Sequence, residues 1–65
     1  MDIGKLLKDY REKNNLTQEN VANYLNISRQ AISAWENNLS RPDLETLLLL
    51  SNIYKVSLNK LIGQN

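Results

Sequence analysis

The chain has 65 residues, among them 12 Leu and 10 Asn, one Pro, two Gly and no Cys, His or Phe. A chain this short holds one small domain and buries only about 60% of its unfolded surface, so it needs regular elements and little loop. There is no disulfide framework, a metal site lacks its usual Cys and His ligands, and a net charge of +1 neither announces nor excludes a nucleic-acid partner.

Leu exceeds Val and Ile combined in a composition that is 42% hydrophobic, which favours helix over sheet, and the expected class is all-α. Ile3, Leu6, Leu7 and Tyr10 recur at i, i+3, i+4, i+7 and predict a helix over about 2–13, stopped by Asn14 and Asn15. Thr17 offers an N-cap oxygen to a second helix whose buried face holds Val21, Ala22 and Leu25. Asn26 follows, a residue that tolerates positive φ. Ser28 caps a third helix in which Ile32 and Trp35 face inward. Residues 37–42 read as a loop, and Asp43 caps a Leu-rich fourth helix over about 44–54. Its inward face is expected to hold Leu44, Leu47, Leu48 and Ser51, with Leu49 on the polar side near Glu45 and Asn52. Ser57 opens a last short helix with Leu58, Leu61 and Ile62, and Gly63 fits just beyond its end. No repeat or linker interrupts the five helices, so 1–65 is expected to be one unit.

Residues 1–8 carry Asp2 and Lys5 and lack the apolar run of a signal peptide, and the longest apolar run, 47–50, is far too short for a bilayer. A soluble cytoplasmic protein, or a fragment of a larger one, is expected, with no membrane partner. Asp43 and Glu45 stand at a helix start and do not form an acid/base dyad. With no nucleophile and base constellation, no catalytic residues are assigned and no enzyme is expected. No cofactor, metal or small-molecule ligand is expected either.

Residues 17–36, TQENVANYLNISRQAISAWE, make two short helices joined by a tight turn, the arrangement in which one helix braces another across a DNA groove. Ala22 falls where the two helices approach most closely. Val21, Leu25, Ile27, Ile32 and Trp35 are expected to wedge them at their angle. With Ile32 and Trp35 inward, Arg29, Gln30 and Ser33 emerge on the opposite face, with Ala34 at its flank. Arg donates two hydrogen bonds to guanine O6 and N7, Gln pairs with adenine N6 and N7, Ser suits either base, and Ala touches a thymine methyl. A bare Arg-Gln pair is ordinarily a solvated face; within this motif base contact is the better reading. The free N–H groups at Thr17 and Gln18 suit a DNA phosphate, while Thr17 caps its helix in either case. Tyr10, Tyr54 and Trp35 are expected in the core, with Tyr24 on the outer side of its helix.

The chain resembles the phage repressor and Cro family, also called the XRE family, over nearly its whole length, through REKNNLTQENVA, SRQAISAWEN, RPDLETLLLLSNIY and VSLNKLIG. The resemblance implies a compact five-helix bundle of the lambda-repressor type and a sequence-specific regulator of duplex DNA, a repressor rather than an activator, with the third helix in the major groove. It implies that Gln18 contacts phosphate and orients Arg29, and that Asn37, Asn38 and Arg41 supply a second set of backbone contacts. Ser40 in the same loop is equally a turn residue. Relatives often carry Gly where this chain has Asn26. Arg11 and Glu36 match an ion pair of the family, expected here to be exposed and to contribute at most about 1 kcal/mol.

A short recognition helix on a +1 chain reaches few phosphates, so a weak homodimer on an inverted-repeat operator is expected, with recognition helices about 34–36 Å apart. Leu49 and the closing helix, with Leu58, Leu61 or Ile62 partly exposed, form its expected contact. Two alternatives stand beside this reading: a protein-interaction module, which has no need of the Arg29 and Gln30 face, and the DNA-binding end of a longer regulator.

Overall fold

The computed structural model describes residues 2–64. Met1 and Asn65, both inside the expected unit 1–65, lie outside the described residues. Five helices follow in chain order: α1 (Ile3–Lys13), α2 (Gln18–Leu25), α3 (Arg29–Glu36), α4 (Leu44–Ile53) and α5 (Leu58–Leu61). The described residues contain no strand.

Each helix starts on a side-chain oxygen that accepts from the backbone N–H three residues on: Asp2 from Lys5, Thr17 from Asn20, Ser28 from Ala31, Asp43 from Thr46 and Ser57 from Lys60. At α2 the cap is reciprocal, because the Thr17 N–H donates to Asn20 Oδ1 at 2.9 Å. The ends are equally regular. Asn15, Asn26, Asn38, Lys55 and Gly63 take φ between 58° and 82°, one after each helix, which turns the chain out of helical geometry. Three Asn among these five stops explain part of the Asn-rich composition, since Asn is the side chain that best tolerates the left-handed region.

The core joins Ile3 and Leu7 of α1, Val21 and Ala22 of α2, Ile32 of α3, Leu50 and Tyr54 at the end of α4, and Leu61 of α5. Trp35, Leu25, Leu47 and Ile62 pack against it, half-buried. Helix α1 contacts both α3 and α5, while α2 lies on α3 and α4 on α5. The α2–α3 pair is therefore braced from behind by α1, which ties it to the C-terminal pair.

Three expectations are corrected by this packing. On α4 the inward face is Leu47, Leu50, Ser51 and the following Tyr54, whereas Leu44 and Leu48 are 64% and 46% exposed. Four consecutive leucines satisfy any phase, and Tyr54 selects the one used. Ser51 is tolerated in the core because its hydroxyl donates to the Leu48 carbonyl at 2.7 Å. Leu61 is fully buried and is a core residue, so it is removed from the expected dimer contact; a helix of one turn has only one residue to drive into the core, and Leu61 takes that place. Ile27 is 39% exposed and lies at the rim of the helix pair, not in its wedge, because it belongs to the turn between the two.

Gly4 brings α1 and α3 together. A Cβ there would stand 2.6 Å from the Glu36 carbonyl oxygen and 2.7 Å from that of Trp35. The N-terminal turn of α1 therefore lies against the last carbonyls of α3, opposite partial charges meeting.

Candidate nucleic-acid interface

Helix α3 buries Ile32 and Glu36 and leaves Arg29 and Gln30 exposed in its first turn. Ser33 and Ala34 are half-buried further along. The four side chains expected to meet bases thus belong to one helix, with the two longest at its N-terminal end. Helix α2 holds one of them: the Arg29 Nη1 donates to Gln18 Oε1 at 3.2 Å, as the resemblance implied. The Ser33 hydroxyl accepts from Asn37 Nδ2 at 3.3 Å, and the same nitrogen donates to the Ser33 carbonyl at 2.8 Å.

The residues expected at phosphates divide in two. Thr17, Asn37 and Arg41 are exposed and Gln18 is half-buried at the start of α2. Asn37 already spends its Nδ2 on Ser33 of its own helix, and Asn38, exposed too, is committed to a distant element: Oδ1 accepts from the Gly4 N–H at 3.1 Å and Nδ2 donates to Asp2 Oδ1 at 2.7 Å. Its role in this structure is to tie the exit of α3 to the start of α1. The carboxyl of Asp2 is held below the ordinary carboxylate range, first by Asn38 and then by the Lys5 N–H. Asp2 and Gly4 were not singled out by sequence reasoning, although a glycine beside an apolar stripe is a signal of close backbone approach.

Arg11 and Glu36 pair as expected, but the pair is buried. Arg11 Nε donates to Glu36 Oε2 at 2.7 Å and Nη2 to Oε1 at 3.0 Å, while Nη1 donates to the Leu16 carbonyl at 2.9 Å. The expected exposed bridge is therefore corrected, since the packing of α1 on the end of α3 leaves the two side chains only 10% and 3% exposed. Glu36 raises the pKa of Arg11, chiefly through this hydrogen bond. Tyr54 lies within the same field: burial above all, and Glu36 next, push its phenol well above the ordinary value.

Of the expected dimer residues, Leu49 is 48% exposed and Leu58 and Ile62 are half-buried. Leu39, in the loop after α3, is the most exposed large apolar residue among the described residues, at 80%. Two shallow grooves of about 380 and 320 Å³ adjoin at Leu16, before α2, and Tyr24 on α2, and neither is lined by a residue expected to meet DNA. Among the described residues no His, Cys, Asp or Glu cluster could hold a metal ion, and no helix is long and apolar enough to cross a membrane.

The helix-turn-helix family model matches residues 7–61. The chain is 43% identical over 65 residues to the HTH-type transcriptional regulator ImmR of Bacillus subtilis, covering 100% of this chain and 51% of that protein. It is 37% identical over 63 residues to the HTH-type transcriptional activator BcrR of Enterococcus faecalis, covering 97% of this chain and 31% of the relative. It is 32% identical over 63 residues to the antitoxin PezA of Streptococcus pneumoniae, covering 97% and 40%. The chain thus spans about half or less of the length of these relatives. With α2 and α3 as the paired helices, the chain belongs to the XRE-type helix-turn-helix family.

Proposed function

We propose that the chain is a sequence-specific DNA-binding unit of a transcription regulator, a binding module and not an enzyme, reading the major groove with α3. One observation carries this: Arg29 and Gln30 stand exposed on the first turn of α3, with Arg29 steadied by Gln18. In the proposed complex Arg29, Gln30, Ser33 and Ala34 meet base edges, and Thr17, Gln18, Asn37 and Arg41 meet phosphates. Asn38 serves as the tie to α1. Repression follows from occupancy alone, because a domain seated in the groove excludes other proteins from it. Activation, the term in the name of the Enterococcus relative, requires a further contact to the transcription machinery. A cytoplasmic place of work is part of the same proposal.

A single copy reads only a few base pairs, so two copies on an inverted repeat are proposed, meeting through Leu49, Leu58 and Ile62. A longer regulator carrying this unit as its DNA-binding end is supported by the lengths of the relatives. We take residues 1–65 as one unit within it.

Selection of binding sites from random duplex DNA at two salt concentrations tests the reading. R29A and Q30A should each lose about 1–3 kcal/mol on the selected site and relax the preference at one base pair. R41A should weaken all sequences alike and reduce the salt slope by about one. Equal loss on selected and random DNA for R29A removes Arg29 from the bases. Sedimentation with an inverted-repeat duplex tests the dimer: a strict 1:1 complex at saturation, or an L49K variant that still binds cooperatively, rejects the proposed contact.

A further inference from the structure

Gln18 stands between two side chains of opposite charge that belong to the two ends of α3. Its Nε2 donates to Glu36 Oε1 at 3.1 Å, and its Oε1 accepts from Arg29 Nη1 at 3.2 Å. A carboxamide has one donating and one accepting end, so whichever group takes the first decides what the second presents. Glu36 is not free to yield: it is buried, and both of its oxygens are engaged by Arg11. An ionised carboxylate only accepts, so it admits Gln18 in one orientation.

We propose that Glu36 is a positioning residue for base recognition, acting through Gln18. By holding the donating end of Gln18, it aims the amide oxygen at residue 29, where a donor such as Arg is thereby fixed. This rests on the reading of Arg29 as a base contact. Arg29 gives one of its five N–H groups to Gln18 and keeps the others for guanine O6 and N7. The second N–H of Gln18 stays available for a phosphate, so one side chain joins backbone contact to base reading. Four side chains from α1, α2 and α3 form this relay, and the buried ion pair at its root supplies rigidity to an exposed arginine. Preorganising a flexible side chain lowers the entropy lost when it binds.

The E36Q substitution reverses the polarity. Arg11 then keeps the oxygen of the introduced carboxamide, whose NH2 faces position 18, Gln18 must turn its own oxygen toward it, and two donors confront each other at residue 29. In E36Q the preference for guanine at the base pair read by Arg29 should fall roughly tenfold or more, with a smaller change on random duplex. Q18M leaves the Arg11–Glu36 pair whole and should lose the same preference, so it tests the relay even where E36Q folds poorly. The Q18M/E36Q double variant should show no further loss of preference. An E36Q protein that loses affinity on all sequences alike while keeping its preference, or losses that add in the double variant, overturns the proposal and leaves Glu36 a purely structural partner. The free wild-type protein supplies a readout without DNA. In its NMR spectra the Gln18 carboxamide protons should lie close to the Glu36 side chain; close contact with the Arg29 guanidinium protons instead means the opposite orientation and overturns the relay. If no duplex is preferred by any of the proteins, the reading of Arg29 as a base contact fails, and the NMR result still reports on the relay by itself.

Discussion

Arg11 and Glu36, 25 residues apart in sequence, close two hydrogen bonds of 2.7 and 3.0 Å with both side chains withdrawn from solvent. The pair joins α1 to the end of α3, and Arg11 also holds the Leu16 carbonyl in the loop before α2. Removing one member leaves a buried charge without its partner. R11M should therefore cost about 3–5 kcal/mol, a large share of the stability of so small a domain. An R11M/E36M double variant should recover part of that loss. Urea unfolding measures both, and a cost below about 1 kcal/mol for R11M would class the pair with exposed bridges.

Gly4→Ala should destabilise the fold although Ala is the better helix former by about 1 kcal/mol. The added Cβ meets two carbonyl oxygens of α3 and Asn38 Oδ1 at 2.6 to 2.9 Å, and backbone cannot move aside as a flexible side chain can. Displacement of α1 from α3 should cost roughly 1–3 kcal/mol net. A rise in melting temperature on this substitution contradicts the close approach.

Lys55 ends α4 in the left-handed region at φ 58° without the help of an Asn or Gly side chain. K55G should raise stability by about 0.5–1 kcal/mol, the relief of local strain exceeding the added freedom of the unfolded chain. K55V, with a β-branched side chain at the same φ, should lower it. Thermal melts of the two variants should move in opposite directions, and a loss in K55G refutes the account.

Asp2 and Asp43 both titrate below the ordinary carboxylate range, Asp2 through Asn38 and Asp43 through Thr46. Their folded-state pKa values lie below the unfolded ones, so their contribution is full above about pH 4 and fades as pH falls through the folded values. In D2N/D43N, which keeps side-chain caps but removes both titrations, the fall in melting temperature below about pH 4 should be shallower than in the wild type. Parallel acid limbs in the two proteins rule out this linkage.

The helix starts at Thr17, Ser28, Asp43 and Ser57, and the left-handed stop at Asn26, were legible because each depends on a hydrogen bond or a φ preference within a few residues. The exposed Gln30 was legible for a related reason, since an inward Ile32 and Trp35 oblige it to the other face, whereas Arg29, three residues before Ile32, is exposed at the flank of that face. The dimer contact was less so: Leu61 carries the same letter whether it closes a core or faces a partner copy.

By itself the sequence determined the class, the five helices and the family, because caps, stops and apolar spacing act over one or two turns of chain. Tertiary structure alone decided which leucines of α4 face inward, that Gly4 admits α3, that Asn38 ties the two helices, and that the Arg11–Glu36 pair is buried with Gln18 bonded to both Glu36 and Arg29. These depend on what lies opposite a side chain after folding. A run of four leucines satisfies every helical phase and a carboxamide satisfies either orientation, so only the neighbour brought from a distant part of the chain breaks the tie.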